Sequence, residues 1–215
     1  MNEDPPSCLV ELLESPAYTQ YYCEENIYHL CSQSLMQLPG WECFALFISN
    51  SNKAVPIWCQ GLAAPENYVV WDYHVILLAH SLPAGTHGSN NTPCNSNSSS
   101  GSNSTGSWWV IDLDTRLPKP CSAKVYVASS FRPKIARRCH SFRVVRAQDM
   151  VNFFASDRSH MLDKEGRWNA PPPVYEPICG ASADCSMNLE EWLDMTEGTG
   201  RGRVLDVEGL IAFIS

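Results

Sequence analysis

Two apolar, strand-like runs, YVVWDYHVILLAHSL at residues 68–82 and SWWVIDLDTRL at 107–117, flank a stretch made almost purely of Gly, Ser, Asn and Thr. Such a stretch cannot bury enough apolar surface to order itself. The two runs are therefore expected to pair as a hairpin around a floppy low-complexity loop at 83–107. That loop holds Asn-x-Ser/Thr sequons at Asn90, Asn97 and Asn103. The chain starts MNEDPPSCLVELLES, which is acidic where a signal peptide is basic, so the sequons read as accidents of composition. No function is assigned to the loop.

The rest of the chain supplies one clear helix and several short strands. In YYCEENIYHLCSQSL, Cys23, Ile27, Leu30 and Cys31 recur at i, i+4, i+7 and i+8 and share a helical face, with Glu24, Glu25 and His29 pointing elsewhere. Thr19 is the expected N-cap, the two glutamates suit the positive end of the helix dipole, and Pro39-Gly40 ends the element. ECFALFIS and AVPIWCQ, separated by Asn50-Ser51-Asn52-Lys53, read as a second hairpin. SFRVVRA reads as a strand with a basic, solvated flank; an RNA-binding face is the competing reading of FRPKIARRCHSFRVVRA and is disfavoured by the overall charge. MVNFFASDRSHM suggests a short helix and turn, and APPPVYEP an extended segment. MNLEEWLDM, capped by Asn188 or Ser186, and VLDVEGLIAFI are helical candidates. The fold class expected is α+β, with residues 1–18 a loosely held, flexible lead-in and residues 19–215 a single catalytic domain.

A chain of 215 residues that is 44% apolar can fill the core of one domain. Its formal net charge of -8 disfavours general binding to nucleic acid or to a membrane surface, both polyanionic, and favours a small or peptide-sized partner. No apolar run approaches the roughly 20 residues of a membrane helix. The expectation is a cytoplasmic protein, with the nucleus also open to it. The ten cysteines include no CxxC pair, and in a reducing compartment they are expected to be mostly small core residues. Cys139, His140, Cys179 and Cys185 could assemble a metal site in three dimensions, but their spacing is not that of a zinc motif, and no metal or cofactor is expected.

Alternation along WDYHVI puts Asp72, His74 and Ile76 on one face and Trp71, Tyr73 and Val75 on the other. In the next strand Asp112 and Asp114 share a face, so His74 can meet one of them across a hairpin. An inward cysteine in the first turn of a helix, a histidine on one strand and an aspartate on the next are the parts of a Cys-His-Asp triad. In such a triad the helix dipole lowers the thiol pKa, the imidazole moves the proton and the carboxylate fixes the tautomer. Buried cysteines are usually inert, and ten Cys with six His make chance combinations easy. Alternation alone does not choose between Asp112 and Asp114.

The blocks YCEENIYHLC, FISNSNKAVPIW, WDYHVILL, DLDTRLP, FRVVRA, NFFASDRSHM and PPPVY occur in order across roughly residues 20–195. They resemble the WDYHV family of protein N-terminal glutamine amidohydrolases. The resemblance implies a monomeric enzyme with a papain- or transglutaminase-like core, acting on proteins or peptides with a free N-terminal Gln and feeding the N-degron pathway. It assigns the nucleophile to Cys23, the base to His74 and the orienting carboxylate to Asp112, the first Asp of DLDT. The chain departs from the family pattern in its Ser/Asn-rich insert and its C-terminus. For an enzyme of this kind, Glu24 and Asp72 are candidate acceptors for the substrate's ammonium group, and Tyr22 a candidate pocket residue, each also readable as structural. The rivals are a thiol protease or transglutaminase using the same triad, and a binding module that holds protein N-termini without chemistry.

Overall fold

The structure is a computed structural model of the chain and describes residues 4–14, 16–82, 106–134 and 138–215. The expected low-complexity loop, with its three sequons, lies outside the described residues except for Gly106 and Ser107. In chain order the elements are α1 (Ser7–Glu11), α2 (Cys23–Gln37), β1 (Trp41–Ser49), β2 (Val55–Trp58), β3 (Tyr68–Trp71), β4 (His74–Ser81), β5 (Trp108–Ile111), β6 (Cys121–Ser122) and α3 (Ala123–Tyr126), which runs into a π-helical turn. Then follow β7 (Ser141–Arg146), α4 (Ala147–Phe153), β8 (Ala155–Ser156), a 3-10 turn (Ser159–Met161), β9 (Ile178–Cys179), α5 (Leu189–Leu193), β10 (Arg203–Leu205) and α6 (Val207–Phe213). The architecture is α+β. An antiparallel sheet of order β10-β7-β1-β4-β5-β6 is accompanied by two-stranded pairs β2-β3 and β8-β9.

Period-2 alternation sorts the sheet's side chains into two cores. Ala45, Phe47, Val75, Leu77, Ala79, Trp109, Ile111 and Val145 face α1, α2, α4 and α5. Phe44, Leu46, Ile48, Ile76, Leu78, Val110, Phe142 and Val144 face the segment through Phe131, and α6, on the other side. β1, apolar along most of its length, sits mid-sheet between β4 and β7. Each fully buried Leu, Ile or Phe contributes roughly 1.5–3 kcal/mol relative to exposure.

Two expected pairings are corrected. β1 and β2 do not form a hairpin: β2 pairs with β3, where Pro56, which has no N–H to donate, lies opposite Val70. The run through WDYHV is likewise two strands, broken at Asp72-Tyr73, so that β3 belongs to the small sheet and β4 to the large one. The β4-β5 hairpin forms with Leu77 opposite Ile111, but β5 ends at Ile111 and leaves both aspartates in the turn beyond it. Near the C-terminus, Arg203–Leu205 is a strand, and only then does α6 start, capped by the Asp206 carboxylate accepting from the Gly209 N–H at 2.7 Å.

The segment expected to be a loose lead-in contains α1, and Leu9 and Leu12 are 0% and 3% exposed in the core. Their spacing with Cys8 in CLVELL is that of one helical face. At the start of α2 the N-cap is Tyr22, without a side-chain cap, rather than Thr19. The Asn26 side chain holds that approach, accepting from the Thr19 N–H at 2.8 Å and donating to the Thr19 carbonyl at 2.9 Å. Tyr21, at φ 71, turns the chain into the helix.

Glu24 and Glu25, expected to point away from the Cys23 face of α2, are both fully buried. Glu25 makes a two-pronged ion pair with Arg158, Nε to Oε1 at 2.9 Å and an Nη to Oε2 at 3.0 Å, and Arg158 also donates to the Pro173 and Glu176 carbonyls. This pair clamps the first turn of α2 under residues 158–176. Arg158→Met removes one partner of a buried pair and is expected to cost about 3–5 kcal/mol, lowering the midpoint of thermal unfolding by about 10 °C. A calorimetric shift below about 2 °C would mean that the clamp is dispensable.

Candidate active site

α2 presents Cys23 as its first residue, 8% exposed, in the core cluster that also holds Tyr73, Val75 and Ile111. The Val75 backbone N–H, one residue along from His74, favours the ionised thiol. The thiol itself donates toward Glu24 Oε2 at 3.6 Å. Burial pushes the Cys23 thiol well above its ordinary range, and the Glu24 and then Asp114 charges add to this, while the Val75 N–H works against it. The lowering expected from the helix dipole is thus outweighed by desolvation and by the neighbouring carboxylates.

His74 opens β4, 1% exposed, and stacks on Trp71 with ring centroids 5.3 Å apart. Its Nε2 lies 2.9 Å from Asp112 Oδ1, while its Nδ1 is buried without a hydrogen bond among the described residues. Burial disfavours the imidazolium, yet the charge and hydrogen bond of Asp112, with Asp114 and Glu24 adding, leave the His74 pKa above its ordinary value.

Of the two aspartates left open by alternation, Asp112 is the one bonded to His74. It is 1% exposed, and its four acceptor positions are filled: Oδ1 by His74 and the Asp114 N–H, Oδ2 by the Gln60 amide at 2.9 Å and the Tyr126 hydroxyl at 2.7 Å. Burial alone would raise its pKa, but the His74 charge and these donors bring it down to about 2. Ionised Asp112 accepts, so His74 Nε2 carries the hydrogen and Nδ1 presents its lone pair. Asp114 instead accepts from the Tyr18 hydroxyl at 2.6 Å.

His74, Asp112 and Asp114 are the one group of His, Cys, Asp and Glu side chains, among the described residues, close enough together to share a cation. With the four donors already on Asp112, that carboxylate has no lone pair free for an ion. The set Cys139, His140, Cys179 and Cys185 does not form such a group, and Cys23, Cys139, Cys179 and Cys185 carry free thiols.

The other sequence candidates are placed as follows. Tyr22 is fully buried and its hydroxyl donates to the Ala170 carbonyl at 3.2 Å. Asp72 is exposed, with its carboxylate turned onto the Tyr73 N–H at 2.9 Å. Glu24 lies beside the thiol and accepts from the Tyr73 hydroxyl at 2.9 Å. Tyr73, His160, Gln60 and Tyr126 were missed by the sequence reading. Tyr73 and His160 sit inside the WDYHV and SDRSHM blocks, whereas nothing local marks Gln60 or Tyr126.

A buried thiol at a helix start, with a carboxylate-paired imidazole whose second nitrogen is unengaged, is the equipment of a thiol-dependent hydrolase. The sequence profile of the N-terminal glutamine amidase family matches residues 18–214. Similar proteins include the protein N-terminal glutamine amidohydrolases of Bos taurus and Homo sapiens, each 40% identical over 195 residues, covering 87% of this chain and 81% and 82% of theirs. That of Danio rerio is 34% identical over 223 residues, 98% of this chain and 97% of its own. The chain belongs to the N-terminal glutamine amidase family. No helix among its described residues is long and apolar enough to cross a membrane.

Proposed function

We propose that this chain is an amidohydrolase that converts N-terminal glutamine of proteins and peptides to glutamate with release of ammonia, using Cys23 as nucleophile, His74 as acid and base, and Asp112 as the orienting carboxylate. The observation that carries the reading is the buried His74-Asp112 pair, its Nδ1 unengaged among the described residues, at the head of the strand whose Val75 shares a core cluster with Cys23. The supporting scaffold is papain- or transglutaminase-like in plan, a nucleophile at a helix start packed on an antiparallel sheet.

Because burial keeps the resting thiol protonated, His74 Nδ1 takes its proton as sulfur attacks the side-chain carboxamide carbon. The Cys23 N–H, on the first residue of a helix and so without an intrahelical acceptor, is aligned to receive the developing oxyanion. Collapse breaks the C–N bond, His74 returns the proton to the leaving nitrogen and ammonia departs, leaving a γ-glutamyl thioester. Water then gives a proton to His74 and its oxygen to the acyl carbon; the C–S bond breaks and the thiol is restored. The product, a new N-terminal Glu, is the kind of terminus that an N-degron pathway consumes.

The test is mass spectrometry with ammonia detection on matched peptides starting Gln, Asn, acetyl-Gln and Ala-Gln. A gain of about 1 Da is expected for the Gln peptide alone, since a site built around a free amine and one chain length rejects the others. The Asn side chain, a methylene shorter, misplaces the reacting carbon by about 1 Å, worth about 10²-fold in rate. No mass change in the Gln peptide, with folded protein and reduced thiols, would refute the reading.

A further inference from the structure

We propose that Glu24 receives the α-ammonium of the substrate's first residue and that this contact frees the Cys23 thiol to ionise, an inference that rests on the amidase reading above. Glu24 is 0% exposed, and its two oxygens are treated unequally. Oε2 is shared by the Tyr73 hydroxyl at 2.9 Å and the Cys23 thiol at 3.6 Å. Oε1 accepts no hydrogen bond among the described residues, and the His160 Nε2 stands 3.4 Å from it without bonding geometry, in contact instead with the Tyr73 hydroxyl at 3.3 Å.

A fully buried carboxylate ordinarily collects partners on both oxygens. Its neighbour Glu25 does so, with Arg158 on each. An unfilled acceptor beside a nucleophile is explained by a donor that arrives with the substrate, and an α-ammonium has the charge and the three N–H groups to fill it. Asp72, the other candidate, is exposed and already accepts from the Tyr73 N–H.

The position of Glu24 has a second effect. The groups that act electrostatically on the Cys23 thiol are Glu24 from α2, Asp114 from beyond β5, the Val75 N–H from β4, and Asp72 from the junction of β3 and β4; of these Glu24 is in contact with the sulfur, and Tyr73 and His160 stand across Glu24. Three of these are carboxylates, and the charge of Glu24 is the foremost electrostatic influence against a thiolate, second only to burial. An ammonium seated on Glu24 cancels that influence and draws the carboxylate away from the thiol hydrogen, which then passes from Sγ to His74 Nδ1. A peptide with a blocked terminus, or an internal glutamine, brings no such charge. Selection of the free terminus is therefore exercised in the chemistry as well as in binding.

The experiment compares the unaltered protein with Glu24→Gln in three measurements. These are deamidation of a Gln-starting peptide, deamidation of its des-amino counterpart bearing a 4-carbamoylbutanoyl group, and the rate at which iodoacetamide alkylates Cys23 at pH 7, read by peptide mass mapping. Glu24→Gln is expected to lower kcat/KM for the Gln peptide about 10²-fold and to bring its ratio over the des-amino peptide close to one. Cys23 is expected to alkylate about tenfold faster, because loss of the neighbouring carboxylate charge lets its thiol ionise more readily. A side chain that merely supported the fold would not make the thiol more reactive while making the amidase slower. A preserved ratio, or alkylation that stays the same or slows, overturns the proposal. Glu24→Asp keeps the buried charge if the first variant does not fold; both changes are expected in the same directions and smaller, and their absence there overturns the proposal equally. If the unaltered protein deamidates neither peptide, the amidase reading itself has failed; if it is active and only the Glu24 effects are missing, that reading stands.

Discussion

Cys23→Ala and His74→Ala are each expected to lower turnover of a Gln-starting peptide by about 10⁶-fold, because residues acting as one nucleophilic unit lose nearly everything when either is removed. The double variant should be scarcely slower than either single one, since the second substitution takes away a partner whose work has already ceased. Neither change should unfold the protein. Cys23→Ala removes a sulfur whose only side-chain hydrogen bond among the described residues is the long one to Glu24. His74→Ala leaves Asp112 with its Gln60, Tyr126 and Asp114 N–H donors. The check is ammonia release by folded variants of unchanged far-UV circular dichroism; a single variant retaining a tenth of normal activity would remove that residue from the chemistry.

Asp112→Asn carries the second large expected effect. An amide can present its NH₂ to His74 Nε2, which moves the imidazole hydrogen to Nδ1 and removes the lone pair needed to take the thiol proton, a loss of about 10⁴-fold. The pH profile adds a signature. In the proposed mechanism His74 must be neutral to act as base, and Asp112 holds its pKa above the ordinary value. The acid limb of kcat/KM in the unaltered protein therefore lies above pH 6.5, activity falling as pH drops through it. With the negative charge gone, the imidazolium loses its main support, so in Asp112→Asn the limb of the residual activity should move to lower pH. A limb that stays in place, measured across pH 5–9, would mean that a group other than His74 titrates there.

The longer strands and the β4-β5 pairing were legible in this chain, but the partners of β1 and β2 were not, nor was β10, which reads locally as part of a helix. The turn cluster at residues 50–53 advertised a hairpin between β1 and β2, and locally nothing contradicts it. What decides is burial on both faces: β1, with six consecutive buried residues, belongs mid-sheet, whereas β2 carries a proline and is matched to the exposed β3. The same limit applies to the site. Helical spacing brought Cys23 inward, and alternation brought His74 toward an aspartate. The choice of Asp112 over Asp114 turned on a side chain accepting an N–H two residues ahead in a turn, which a period-2 pattern cannot express. The burial of Glu25 was not legible because Arg158, whose charge allows it, lies 133 residues away in sequence. Gln60 and Tyr126 reach Asp112 from separations of 52 and 14 residues, and neither carries a local mark of its role.

The β4-β5 hairpin has its working end and its variable end apart. His74 opens β4 and Asp112 follows β5, whereas the Ser/Asn-rich insert joins the strands at their opposite ends, beyond Ser81 and before Trp108. Seven residue steps of extended chain separate His74 from Ser81, about 23 Å at the rise of a strand. The insert is therefore anchored at the end of the hairpin remote from the thiol and imidazole. It offers an evolving lineage a place to acquire a tag, a modification or a binding motif while the hydrolytic chemistry is inherited intact.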